Sequence, residues 1–429
     1  MATLPVILGS AGANEEQAQI LLALAFVLAG AKLAGALVAR LGQPAVLGEL
    51  LVGVLLGNLA LLGGPSLGAL EASETFYVLA ELGAILLLFD VGLESTPKEM
   101  LAVGLPATVV AVLGVATPMA LGYGVGWALQ PEASWMTHAF LGAMLAATSV
   151  GITARVLQDA NAIRTRAARI ILGAAVIDDV LGLVVLAIIS GVIHAAATGV
   201  ALGGGGVVLI VLKALGFLVL AVAIGSAVSP RLFRQALAIQ SKGLVQALSL
   251  SVCFGLAWLA QKAGLAPIVG AFAAGLILED VHFEDHIKLG DRPLHESLRP
   301  LTALLVPVFF VRMGMLVELE NFLEPGVMGF ALLLTVAAVI GKWVCALGAP
   351  RGVSGLTVGL GMMPRGEVGL IFAGIGAQLV LGGEPVVSGE TYAAAVFMVV
   401  VTTMATPPLL LWSLGRDARK VVAAPPGPP

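Results

Sequence analysis

Runs of about 20 apolar residues recur along almost the whole chain, and a run of that length is what a helix needs to cross a bilayer. Thirteen such segments are read at roughly 17–40, 44–62, 75–93, 99–129, 135–156, 165–193, 204–227, 241–260, 265–279, 297–317, 326–348, 352–379 and 390–413. Only 11% of the 429 residues are charged, where a soluble domain carries about 25%. That leaves too little polar surface to cover a soluble particle, so the expected fold is an all-α polytopic membrane protein of about 13 helices. The two cysteines, Cys253 and Cys345, lie inside apolar runs and form no disulfide scaffold or zinc pattern. No basic stretch would serve nucleic acid, and no cofactor is expected. Lipid is the expected surroundings.

Lys and Arg set the orientation. With the N-terminus outside, sixteen of them, from Arg40 to Lys420, fall in inner connections and the tail, while the outer connections hold Lys262 alone. An odd number of spans then puts the C-terminus in the cytoplasm. The connection at about 279–296 contains His282, His286 and His295 and reads as a solvated loop rather than a metal site. The tail, 414–429, is short and leaves no room for a nucleotide-binding domain.

Glycines repeat at a constant offset. Gly48 and Gly53 match Gly270 and Gly275, and Gly92 in FDVGL matches Gly314 in VRMGM, each 222 residues on (48 to 270, 53 to 275, 92 to 314). Seven segments separate the partners, so the halves lie upside down to one another. The expected organisation is a first repeat at 17–193, a linker helix with its loops at 194–240, and a second repeat at 241–413. Inverted repeats mark carriers that alternate access around a site at mid-membrane.

Charges inside spans are costly and read as functional by default. Asp178 and Asp179 sit together in ILGAAVIDDVLGLVVLAII. Neighbours on a helix point about 100° apart, so one can face a packed helix and the other a cavity. Carboxylates so placed suit the exchange of a proton for a cation. Lys342, in VIGKWVCAL, is the expected counter-charge of one of them, and cation entry would disrupt that pair. Two segments carry helix-breaking chemistry. In LAATSVGITARVLQD, Thr148, Ser149, Gly151 and Thr153 weaken the helix; in GLTVGLGMMPRGEVGLI, Pro364 removes a ladder hydrogen bond. The freed backbone groups, with Thr148 and Ser149, are candidate cation ligands. Arg365 and Glu367 stand two residues apart, off a common helix face, and are expected to bond to other segments. Glu49, Asp90 and Arg312 complete the set of structural or gating charges, Asp90 and Arg312 being another pair 222 apart (90 to 312). Lys32 and Lys213 are expected to be supporting or lipid-facing.

The pieces GELLVGVLLG (48–57), LGAILLLFDVGLE (82–94), ATSVGITARVL (147–157), GAAVIDDVLGL (173–183), VFFVRMGM (308–315) and MPRGEVGLI (363–371), taken in this order, resemble the second branch of the bacterial monovalent cation–proton antiporter superfamily. The resemblance covers essentially the whole chain. It implies a bundle of two inverted repeats, with two discontinuous helices crossing in a core domain that moves against a dimerisation domain. It also implies a multi-pass protein of the bacterial inner membrane, acting as a homodimer. Asp179 would be the principal cation ligand and Asp178 the partner of Lys342. The implied activity is electrogenic exchange of cytoplasmic sodium or lithium for external protons, with two protons per cation. Potassium/proton exchange is the alternative within the family. A cation channel and an intramembrane aspartyl protease fit less well, because the protease carries its aspartates on separate helices.

Overall fold

The computed structural model describes residues 4–64, 67, 70, 73–94, 104–197, 204–239, 243–278, 294–324 and 326–423. His282 and His286, with most of the loop that holds them, lie outside the described residues. The chain is almost wholly helical: α1 (Leu4–Arg40), α2 (Ala45–Gly57), α3 (Glu74–Glu94), α4 (Leu105–Leu129), α5 (Trp135–Ala146), α6 (Val150–Asp159), α7 (Arg166–Ala197), α8 (Gly204–Ala238), α9 (Leu244–Lys262), α10 (Pro267–Leu278), α11 (Leu294–Met315), α12 (Val327–Trp343), α13 (Gly355–Gly361), α14 (Glu367–Gln378) and α15 (Gly389–Ala423). A small hairpin pairs Val380–Leu381 with Glu384–Pro385. Among the described residues, ten spans are long and apolar enough to cross a membrane, α5 and α6 counting together, and α2, α10 and α14 are shorter apolar helices. The protein is a multi-pass membrane protein with two discontinuous helices, α5–α6 and α13–α14.

Two compact units emerge. The first holds residues 1–87 and 298–319 and the second 88–297 and 320–429, so α3 and α11 each contribute to both. In the first unit α2 is shorter than its apolar run, 44–62, because Asn58 stops it. The Asn58 amide donates to the Val54 carbonyl at 2.9 Å and to the Val317 carbonyl at 2.6 Å. Its oxygen accepts from the Leu319 N–H at 2.9 Å. A single side chain thus closes one helix and ties it to the end of α11. In the second unit α4 packs on α5, α7 and α12, and α12 packs on α15. At the other end, α15 continues to Ala423, ten residues past the expected end of the last apolar segment.

The glycine offset has a physical counterpart. Gly53 of α2 meets α11 so closely that a Cβ there would stand 2.1 Å from the Val311 carbonyl oxygen and 2.8 Å from Gly314 Cα. In the other unit, Gly275 of α10 meets α3 with the Phe89 oxygen at 2.4 Å and Gly92 Cα at 2.6 Å from the same construction. These are one contact seen twice, because 53 and 275, and 92 and 314, both differ by 222. The turns agree as well. Gly42 and Gly264 have φ of +75° and +82°, and Gly104 and Gly326 have +78° and +107°, a backbone region that glycine enters without a Cβ penalty. Each such pair precedes helices that begin 222 residues apart, α2 and α10 in one case and α4 and α12 in the other.

Candidate functional site

Long apolar α7 carries both aspartates into the interior of the second unit, where Asp178 is 1% and Asp179 8% exposed. Lys342 arrives from the last turn of α12 with no exposure at all, and its Nζ donates to Asp178 Oδ1 at 2.8 Å. A buried ion pair repays its desolvation only with close, well-made geometry, and a gap in α4 provides it. A Cβ at Gly114 would lie 3.0 Å from Cys345 Sγ, 3.2 Å from Asp178 Oδ1 and 3.4 Å from Lys342 Nζ. Any side chain at residue 114 would press on the bridge. The pair leaves Asp178 Oδ2 buried with no hydrogen-bond partner. Asp179 stands in the field of Asp178, Glu367 and Lys342.

The two broken helices meet beside this pair. The first is interrupted at residues 147–149, between α5 and α6, and the second at 362–366, between α13 and α14. Each interruption strips backbone groups of their helical partners, and each break supplies what the other lacks. The Ser149 N–H donates to the Pro364 carbonyl at 2.9 Å. The Ser149 hydroxyl donates to Glu367, 2.8 and 3.0 Å from its two carboxylate oxygens. Thr153 donates to the Gly361 carbonyl at 2.7 Å. Arg365, fully buried, donates to the carbonyls of Ala147 at 3.1 Å and Ala338 at 3.0 Å.

These placements follow helix electrostatics. A helix carries roughly half a positive charge at its N-terminus and half a negative one at its C-terminus. The acid Glu367 opens α14, and the guanidinium of Arg365 closes α5. Thr148, in the first break, is 1% exposed and its Oγ1 has no hydrogen-bond partner. The region therefore holds an unpartnered hydroxyl and an unpartnered carboxylate oxygen, both away from water. Hard cations take oxygen ligands of these kinds.

Five of the expected site residues thus gather with Lys342 in the second unit: Asp178, Asp179, Ser149, Arg365 and Glu367, with Thr148 and Pro364 in the breaks themselves. Glu49 does not join them. It is 6% exposed on α2 and accepts from Lys32 Nζ at 3.1 Å, so Lys32 is an ion-pair partner. Arg312 sits on α11 with its guanidinium over the Tyr77 ring, 4.7 Å from the centroid. Asp90 is half-buried on α3. Gly114 and Cys345 beside the ion pair and the carbonyls that hold Arg365 were not foreseen, and Thr153, expected only to weaken its helix, bonds to the Gly361 carbonyl. A glycine within a glycine-rich helix and a backbone oxygen leave no mark in sequence that separates them from their neighbours.

A sodium/hydrogen exchanger transmembrane family model matches residues 23–412. The chain belongs to the sodium/hydrogen exchanger family. This is a family of transporters, not of enzymes. Among curated relatives, the chain is 36% identical to a high-affinity Na+/H+ antiporter, NhaS3, of Synechocystis, with 92% of this chain and 89% of that protein covered. It is 33% identical to a Na+/H+–K+ antiporter, GerN, of Bacillus cereus, over 94% and 98%. The fold is shared with a sodium proton antiporter, MjNhaP1, of Methanocaldococcus jannaschii, at a TM-score of 0.70 and 18% identity, covering 95% of this chain and all of that one.

Proposed function

We propose that the chain is an electrogenic sodium or lithium/proton antiporter working by alternating access, with Asp179 and Asp178 as the site at which cation and proton compete. The observation that carries the reading is the Lys342–Asp178 pair beside Asp179, with Asp178 Oδ2 and Thr148 Oγ1 left unpartnered. Counted by residue type, Asp178, Asp179 and Glu367 against Lys342 and Arg365 leave the ionised site one negative charge in excess. A monovalent cation and the Asp179 proton compete for this excess, and the second proton of the cycle comes from Lys342, whose pair with Asp178 the cation breaks.

In the proposed cycle the empty site holds a proton on Asp179 and the Lys342–Asp178 pair. A cation entering from the cytoplasmic side displaces the Asp179 proton. It also draws Asp178 away from Lys342, whose ammonium then releases its own proton. Two protons leave for one cation bound, so each cycle moves one net charge. Ser149 and Thr148 complete the cation's oxygen shell. Arg365 and Glu367 keep the two breaks in register while it is bound, and Glu49, Asp90 and Arg312 serve structure or gating.

The matched glycine contacts and turns support two inverted repeats, residues 17–193 and 241–413, within thirteen crossings. With the N-terminus outside, the cation site is reached from either face in turn. A homodimer in the bacterial inner membrane is part of the same reading. The name of the Bacillus relative favours one competing reading, potassium/proton exchange at the same residues.

The test is proton movement driven by sodium, lithium and potassium in proteoliposomes across pH 6–9, with Asp179→Asn beside the wild-type protein. A sodium or lithium response lost in the variant is expected. A response to potassium alone would move the assignment to potassium exchange, and exchange surviving in Asp179→Asn would remove the site.

A further inference from the structure

A cavity of about 1030 Å³ lies in the second unit between three stretches of chain. One wall is the turn from α6 into α7, at residues 160–167. Another is the start of α13, at 352–357, and the third is the stretch 411–417 of α15. None of these residues takes part in the ion site. Two cations, Arg166 and Arg416, line the cavity, and both are exposed. The Arg416 guanidinium lies over the Trp412 ring, 5.9 Å from its centroid. The acid at the wall, Asp417, is already engaged, accepting from the Thr357 hydroxyl at 2.5 Å. Val353, Leu356, Leu411 and Leu414 give the lining an apolar part, beside the polar Asn161, Thr165, Ser354 and Thr357.

The cavity combines two arginines with apolar side chains, on a membrane protein. The first turn of the long helix α7 lines part of it, and the positive end of that helix adds to the attraction for an anion. Arginine forks match the paired oxygens of phosphate. We infer that this cavity binds a phosphate-bearing group, supplied either by the headgroup of an anionic phospholipid or by a free phosphate compound. The apolar lining accommodates the carbon portion of the ligand, and the arginines bind its charge. Because the walls are the turn after α6, the start of α13 and the stretch 411–417 of α15, a bound phosphate ties these three together. Occupancy therefore stabilises the arrangement of the half-helices without contact with the transported ion.

The experiment uses the full-length protein in neutral phosphatidylcholine nanodiscs. Its thermal unfolding is followed on addition of phosphatidylglycerol to the disc or of inorganic pyrophosphate to the buffer. The variants are Arg166→Gln, Arg416→Gln and the double replacement, with Arg40→Gln as an exposed arginine far from the cavity in sequence. Stabilisation by phosphatidylglycerol, weakened at least fivefold in apparent affinity in the double variant and unchanged in Arg40→Gln, is expected for a headgroup. The same pattern with pyrophosphate alone assigns the cavity to a soluble phosphate. Equal response in the double variant and the wild-type protein overturns the inference, as does no response to either ligand. The readout is binding, so it stands or falls separately from the antiport reading.

Discussion

Replacing Lys342 with methionine keeps most of the side chain's length and removes its charge, leaving Asp178 buried without its partner. Two unit charges 2.8 Å apart attract by roughly 6 kcal/mol at an effective dielectric of about 20. Desolvation of both groups offsets much of that gain, and removing one member of a buried pair costs about 3–5 kcal/mol. The stranded carboxylate has one escape, which is to bind a proton on folding. From an ordinary carboxyl pKa of about 3.9, this costs about 4 kcal/mol at pH 7. The expected loss for Lys342→Met is therefore about 3–4 kcal/mol at pH 7. The sign of its pH dependence follows: the folded variant holds a proton that the unfolded chain lacks, so stability falls as pH rises. Between pH 7 and pH 5 the deficit shrinks by about 1.4 kcal/mol per unit. Adding Asp178→Asn removes the stranded charge, and the double variant should recover at least about 2 kcal/mol. The assay is reversible unfolding in mixed detergent and SDS, followed by tryptophan fluorescence in the four proteins of the cycle. Single and double effects that add to within about 0.5 kcal/mol would mean no coupling and would refute the argument.

The same geometry sets further expectations. Gly114→Ala puts a methyl against the ion pair and Cys345; overpacking of this kind costs about 1–3 kcal/mol, and exchange should fall with stability, measured on one preparation. Ser149→Ala leaves Glu367 without the hydroxyl it accepts from, and loss of a hydrogen bond to a charged group costs about 1.5–3 kcal/mol, with the lower end expected for this half-buried acid, read in the same unfolding assay. Gly53→Ala and Gly275→Ala drive a methyl into facing backbone and should abolish folded protein on size exclusion, while Gly124→Ala, with open space around its Cβ, should leave yield unchanged.

What could be read from the chain beforehand was local chemistry. The apolar runs marked the spans, because a bilayer forces every buried backbone group into a helix. Pro364 and the Thr148–Ser149 pair marked the breaks, because each disrupts the helical ladder within its own segment. Lys342 and the two aspartates stood out as charges where charges are costly. Partnership across long separations stayed hidden wherever one partner was backbone or glycine. Asn58 ends α2 by reaching a carbonyl 259 residues away, so the run 44–62 overstated that helix. Arg365 was expected to bond to other segments, and it does, but nothing in the sequence showed that its acceptors are backbone carbonyls. Gly114 was one glycine among 54, and only the packing of α4 against the ion pair distinguishes it.

In the proposed cycle, one cation and the site's protons exclude each other. Sodium titrated calorimetrically into the purified protein, in two buffers of different ionisation enthalpy, measures binding and proton release together. Sodium binding is expected to release protons in the wild-type protein, with both binding and release lost in Asp179→Asn. Sodium binding without proton release, or unchanged in the variant, would contradict it.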